Sequence, residues 1–349
     1  MNDTGNDASP YNPISSCALD PVYLHLPDLK GRWSERREIK DRKFDLLRDQ
    51  FKEQAPDFLQ DNPWLAPYGQ YLGDPSFHAY VQQRCFTQLQ QVKKYADQQG
   101  IFLKGDLPHL MSAESVDVQT FPHLFRKDFV AGAPPDNFTP LGQKWGFPLY
   151  DWNAMRKEQF LWWKTRFDAI ASLYHIYRLD HVIGFFRIWG IPPHASATEG
   201  HFIPEDPSLW EPLGREILEM MIKASSLLPM AEDLGKVFPV VTETLRELGI
   251  CGVKVPRWQK EIPFSQYEPF SMTTVSTPDM EPLQCFDPYL TVEQRRTFLQ
   301  QAHSSSSYFH INLLQEYLAL FPELRWPDPH QDQINIPGVE TVVMLKGSY

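Results

Sequence analysis

Hydrophobic positions recur with helical spacing over three long stretches, residues 77–99, 153–172 and 209–225, and each is followed after a short gap by a brief apolar run. Such runs predict buried strands, at residues 101–108, 173–181, 227–235, 250–255, 272–279 and 334–338. Strands alternating with helices call for a parallel sheet. Four of the six candidates carry an acidic residue at or just beyond the carboxyl end: Asp106, Asp180, Glu232 and Asp279, separated by 74, 52 and 47 residues. In a parallel barrel those ends converge on one face; a doubly wound open sheet also places its ligand at strand ends. One acid after a strand reads as a helix cap or a solvated charge, but four in register point to a shared pocket.

Composition narrows the classes. The 349 residues are 42% hydrophobic and 22% charged, enough for one large core or two modest ones. The net charge of −11, with Lys and Arg scattered, gives no broad attraction to nucleic acid or to anionic membranes. No stretch approaches the roughly 20 apolar residues that cross a bilayer, and the opening MNDTGNDASPYNP lacks the basic and apolar regions of an export signal, so a cytoplasmic location is expected. The cysteines, Cys17, Cys85, Cys251 and Cys285, are far apart with no CxxC or His-rich spacing, which predicts reduced thiols and no metal. No internal repeat is present, and no glycine-rich loop accompanies the strands to support nucleotide binding. The 10 Trp and 14 Tyr, many beside Pro and Gly, serve either as core or as stacking surfaces for flat ligands such as sugars.

Carboxylates on adjacent strand ends suit cleavage of a glycosidic bond with retention, which needs two carboxyl groups about 5 to 5.5 Å apart, a nucleophile and an acid. In the segment Tyr177-Arg178-Leu179-Asp180-His181, strand alternation puts Arg178 and Asp180 on one face, where the cation favours an ionised nucleophile. Glu232 follows the apolar LLPMA with no basic neighbour and suits the acid/base, which must hold a proton. Asp279 would be a third carboxylate, stabilising the oxocarbenium-like transition state. Neither proton transfer nor covalent catalysis by side chains requires a metal or organic cofactor.

Four ordered blocks, GDLPHLMSAESVDV, GAPPDNFTPLGQKWGFPLYDW, YRLDHVIGFFRIWGIP and MAEDLGKVFPVVTETLRELGICGVKV, resemble the signature blocks of the 4-α-glucanotransferase family, the amylomaltases or disproportionating enzymes. The likeness runs from SPYNP near residue 9 to INIPG at 338. It implies a (β/α)8 TIM-type barrel with inserted subdomains: one catalytic domain over residues 1–349, a helical insertion at about 20–100 and an active-site lid loop at 132–152. It also implies transfer of α-1,4-glucan segments and malto-oligosaccharides to an acceptor 4-hydroxyl through a covalent glycosyl-enzyme. The implied roles are Asp180 as nucleophile, Glu232 as acid/base and Asp279 as stabiliser. Arg178, His181 and Asp106 would line the subsite of the reacting glucose, Tyr11 would stack on its ring, and Phe138 and Trp145 in the lid would face the sugar chain.

The pattern breaks in places. Pro278 stands where family members carry His before the stabilising Asp, and Asn137 replaces a Tyr of the lid. The family places two barrel strands ahead of the SPY block, so the barrel is expected to lack its first two strands and to expose sheet edges. The region after PLQCFDPYL is shortened. Three readings follow: an active transferase, either tolerating the losses or completed by a separate fragment or partner subunit; an impaired remnant that binds glucan without turnover; or a hydrolase or debranching relative using the same carboxylates.

Overall fold

In the computed structural model the described residues are 2–274, apart from short gaps at 8, 28, 30–34, 52–55, 137–138, 236, 256–257, 259–261, 263–265 and 269, together with 308–309 and 341–344. Asn137, Phe138, Pro278, Asp279, Cys285 and the candidate strand at 334–338 lie outside them.

The first hundred residues are mostly helical: α1 (Arg36–Gln50), α2 (Pro56–Asp61), α3 (Leu65–Tyr71) and α4 (Pro75–Gln98). α4 starts where Asp74 accepts the Phe77 N–H and Pro75 fills the first turn, where its missing donor costs nothing. It ends before Gly100, whose φ of 66° an L side chain would resist. Its inward face, Phe77, Val81, Cys85, Phe86 and Leu89, joins the main core. A buried ion cluster ties the amino-terminal segment to these helices: Lys40 Nζ lies 2.6 Å from Asp3 and 3.1 Å from Asp20, and the Tyr68 hydroxyl donates to Asp3 at 2.6 Å.

The strands carry the site. β1 (Ile101–Leu107), β4 (Ile176–Leu179) and β7 (Leu228–Ala231) are parallel neighbours, and β11 (Thr341–Met344) pairs in parallel with the other edge of β1. A parallel bridge from Met230 to Cys251 leads on to β8 (Gly252–Lys254), β9 (Ser271–Thr273) and β10 (Tyr308–Phe309), also parallel. The described parallel strands therefore run in the order β11-β1-β4-β7-β8-β9-β10, with helices between β1 and β4, β4 and β7, and β7 and β8. The edge of β1 that the sequence reading leaves exposed is covered by β11.

A second sheet is not foreshadowed by the apolar runs. β2 (Phe125–Ala133), β3 (Gln143–Tyr150), β5 (Ile188–Ile191) and β6 (His201–Ile203) form an antiparallel layer in the order β3-β2-β5-β6. Residues 132–152, expected as a loop, thus contain a strand. Gly132 permits this pairing, because a Cβ there would lie 2.1 Å from the Gln143 carbonyl oxygen.

Three helices complete the described set: α7 (Leu161–Ala171), α8 (Trp210–Ala224) and α9 (Pro239–Glu247), with the short α5 (Val116–Thr120) and α6 (Trp152–Lys157). The single helical pattern at 153–172 is split into α6 and α7 because Gln159 and Phe160 both take positive φ, 52° and 56°. Trp163, Phe167, Phe185 and Phe186, each almost fully buried, share one core with Tyr177 of β4, and the Phe167 ring packs on that of Tyr177. Among the described residues no helix is long and apolar enough to cross a membrane.

Candidate active site

The register of the parallel strands decides which side chains meet. Asp106 of β1 is paired with Arg178 of β4, which is paired in turn with Met230 of β7. The ladder continues past the strand ends, with the Asp180 N–H donating to the Leu107 carbonyl (3.2 Å) and the Glu232 N–H to that of Leu179 (2.9 Å). Asp180 and Glu232 are therefore fixed by backbone bonds at the carboxyl ends of adjacent strands, like active-site residues of parallel α/β enzymes.

Arg178 organises the cluster. It is 2% exposed, with Nη1 donating to Asp106 Oδ1 at 2.6 Å and to Asp180 Oδ1 at 3.1 Å; Nη2 forms an ion-pair contact with Glu232 Oε2 at 3.0 Å. Burial opposes its charge, but the fields of Asp106, Asp180, Glu232 and Tyr11 outweigh burial and hold the guanidinium firmly protonated. Two backbone donors complete the arrangement: the His181 N–H on Glu232 Oε2 at 2.8 Å and the His109 N–H on Asp180 Oδ2 at 3.3 Å.

Three carboxylates share one cation, and this changes the electrostatic expectation for Asp180. Burial pushes its carboxyl up to about 8 against the pull of Arg178, with Glu232 and Asp106 adding to the rise. Arg178 does touch Asp180, as strand alternation predicts, yet one guanidinium does not offset burial plus two neighbouring acids. The cluster therefore favours keeping a proton, and Asp180 is the carboxyl that burial raises.

His181 has a left-handed backbone, φ 46°, which is uncommon for a residue with a side chain and places its N–H on Glu232. Its ring is held down to about 4 by burial and by the charges of Arg187 and Arg178, so it is neutral and able to donate or accept. The Trp145 indole from β3 meets that ring edge-on at 5.1 Å, which brings the antiparallel layer to the carboxylates. Tyr11 is close enough for its field to act on Arg178.

The structure thus brings together Asp106, Arg178, Asp180, His181, Glu232 and Trp145, with Tyr11 beside them. Sequence reasoning overlooks His109 and Tyr150. The Tyr150 hydroxyl donates to the His109 carbonyl oxygen at 2.6 Å, and the His109 ring packs on Phe185 at 4.4 Å. Gly184 leaves room for that ring, since a Cβ there would lie 2.5 Å from His109 Nε2. Tyr150 therefore restrains the backbone of the residue whose N–H bonds Asp180. The available signal was that His109 follows the acid-bearing end of β1 by three positions. Among the described residues no group of three or more His, Cys, Asp or Glu is arranged to hold a metal ion.

Comparison with known proteins gives concordant results. The family model described as 4-alpha-glucanotransferase matches residues 66–342. A 4-alpha-glucanotransferase of Chlamydia pneumoniae is 35% identical over 427 residues, covering 97% of this chain and 81% of the relative. That span is longer than the chain itself, so the relative carries segments this chain lacks. A Thermus thermophilus 4-alpha-glucanotransferase is 34% identical over 188 residues, 52% of this chain and 36% of the relative. Among solved structures, amylomaltase from Streptococcus agalactiae in complex with acarbose superposes with a TM-score of 0.67 at 22% identity, covering 88% of this chain and 80% of that one. Amylomaltase from Corynebacterium glutamicum superposes with a TM-score of 0.69 at 20% identity, covering 91% and 53%.

Proposed function

The chain belongs to the 4-alpha-glucanotransferase family, and from that premise we propose that it transfers segments of α-1,4-glucan between sugar chains with retention of configuration. The observation that carries this reading is the Arg178 cluster: two carboxyl groups from adjacent strand ends, each also bonded by a backbone N–H, on one buried guanidinium.

Asp180 is the nucleophile and Glu232 the acid/base. In the first step Asp180 attacks the anomeric carbon, the glycosidic bond breaks, and Glu232 gives its proton to the departing oxygen. In the second, Glu232 takes the proton of an acceptor 4-hydroxyl, which displaces Asp180 and restores both groups. The proton retained by the cluster belongs on Glu232 in the productive microstate. A glycosidic oxygen arriving beside Glu232 favours that arrangement, leaving Asp180 charged on Arg178. Asp106 and Arg178 hold hydroxyls of the reacting glucose, neutral His181 donates to a further one, and Tyr11 stacks on the ring. Asp279 is assigned to stabilise the transition state.

Trp145, beside the His181 ring, offers an apolar face to the glucan, and Phe138 is assigned the same role. With water kept out by the arm at residues 132–152, the acceptor is a sugar. The succession of parallel strands supports a (β/α) barrel as the scaffold. The remnant and hydrolase readings are less favoured, because the Asp106–Arg178–Asp180–Glu232 set is complete and the matched relatives bear the transferase name.

The test is incubation of the purified chain, and of Asp180→Asn, with maltotriose while free glucose and longer maltodextrins are followed together. A ladder of longer products absent from the variant is the expected result. Glucose and maltose alone would establish hydrolysis instead, and no turnover by a folded chain would overturn the reading.

A further inference from the structure

The peptide unit joining Pro108 to His109 stands between two ionisable side chains. Its N–H donates to Asp180 Oδ2 at 3.3 Å, and its carbonyl accepts from Arg166 Nη2 of α7 at 2.9 Å. The peptide is trans, so its C=O and N–H lie in one plane and point in opposite directions. Arg166, the peptide and Asp180 therefore form a chain of polarised bonds, from cation to carbonyl and from N–H to carboxylate.

Arg166 is buried more completely than a structural bond requires. It is 0% exposed, and its Nε and Nη1 make no hydrogen bond among the described residues. The guanidinium lies 5.1 Å from the Trp163 ring and 5.7 Å from that of Trp162, with no described carboxylate at ion-pair distance. Asp117, the buried acid of this wall, is occupied by the Ser16 hydroxyl (2.5 Å), the Ser16 N–H (2.8 Å) and the Trp162 indole (2.8 Å), and Asp168 of α7 is exposed. The remaining titratable groups add no charge. Burial pushes the Cys17 thiol up to about 12, raises the Tyr150 hydroxyl and holds the His109 ring well below the usual imidazole range. A neutral amide could hold the Pro108 carbonyl equally well, and a buried cation short of partners is unfavourable. Such a group calls for a role that uses its charge.

Asp180 supplies that role. Arg178 and the His109 N–H pull its carboxyl down, while burial, Glu232 and Asp106 push it up. Arg178 divides its donors among three acids, whereas the His109 N–H serves Asp180. A cation on the carbonyl side draws electrons through the peptide and makes that N–H a stronger donor.

We propose that Arg166 is a positioning residue for the nucleophile, acting through the Pro108–His109 peptide to hold Asp180 oriented and ionised. The proposal rests on the assignment of Asp180 above. Before attack the bond fixes Oδ2; in the second step it receives the carboxylate again, when the acceptor hydroxyl displaces it from the anomeric carbon.

The test uses the full chain. Arg166→Gln keeps a donor and loses the charge, Arg166→Met loses both, and Arg166→Lys keeps the charge; melting curves check that each folds. With maltotriose, kcat of the Gln and Met variants should fall at least about tenfold with KM within about twofold. The acid limb of kcat/KM against pH should move up by about one unit, since Asp180 loses support for its ionised form, and Arg166→Lys should recover most of both effects. A second reading needs no turnover. Between pH 7 and 9.5 the Tm deficit of Arg166→Gln should widen as Asp180 ionises, and should stay constant when Asp180→Asn is also present. Wild-type kcat with an unmoved acid limb in Arg166→Gln overturns the proposal. So does an equal loss in the Gln and Lys variants, or a Tm deficit that ignores both pH and Asp180→Asn, since packing alone would give these. Turnover that survives Asp180→Asn overturns the nucleophile assignment instead, and the melting series then reports separately whether Arg166 is coupled to Asp180.

Discussion

Replacing Asp180 by Asn tests the electrostatics of the cluster independently of catalysis. The side chain keeps its size and loses its titration. Because burial pushes the Asp180 carboxyl up to about 8 from the ordinary 3.8, the folded protein binds this proton more tightly than the unfolded chain does. The contribution of such a group is fully present below about pH 4 and is lost as pH rises through about 8. Each pH unit in that window is worth about 1.4 kcal/mol if the proton belongs to Asp180 alone. Sharing with Glu232 and Asp106 reduces this, so a few kcal/mol in all is the scale to expect between pH 5 and 8. For a chain of 349 residues that corresponds to a shift of roughly 3–5 °C in Tm. The assay is melting of wild type and Asp180→Asn in parallel at pH 5, 6.5 and 8. The variant should gain on the wild type steadily as pH rises. A difference in Tm that does not change with pH, or that moves the other way, would refute the claim that burial outweighs Arg178.

Tyr150→Phe deletes the hydroxyl that bonds the His109 carbonyl while keeping the ring in the core; kcat for maltotriose should fall about tenfold with KM little changed, because the loosened His109 backbone presents its N–H to Asp180 less well in the transition state. Lys40→Met preserves bulk but leaves Asp3 and Asp20 buried without their cation, and should cost about 3–5 kcal/mol, read as a drop in Tm that narrows under acid as the carboxyls protonate.

How much of this was legible in the sequence follows from the range of the interactions involved. Strand ends bearing Asp106, Asp180 and Glu232 were visible because parallel strands covered by helices are written as short apolar runs, and the acids break those runs. The antiparallel layer was not. β2 begins FRKDF and β3 begins QKWGF, with polar residues on an exposed face and a register shift between Arg126 and Val130, so neither presents a continuous apolar signal. Nor could residues 153–172 show their break, since Gln159 and Phe160 are ordinary helix residues that take positive φ only because the Phe160 N–H finds the Met155 carbonyl. The cover over β1 was also out of reach, because β11 lies more than 230 residues away along the chain and pairing across such a separation leaves no local mark.

The same limit explains why the segment Tyr177–His181 alone does not show the whole field around Asp180. Within that segment Arg178 has one acid to serve; in the fold it has three, two of them brought from β1 and β7 by register. With all three ionised, the group would carry an excess of two negative charges in a buried setting, so it holds a proton until something positive arrives. An oxocarbenium-like transition state supplies that positive charge at the anomeric carbon. In the proposed reaction an aligned sugar would stabilise ionised Asp180 and move the proton to Glu232, where the leaving oxygen needs it. The negative excess that adds to burial in raising the Asp180 carboxyl is, on that reading, also the field that would favour a cation at the anomeric carbon. Arg178 moderates that field and does not cancel it, keeping Asp180 oriented by Nη1 while leaving the cluster electronegative enough to favour bond cleavage.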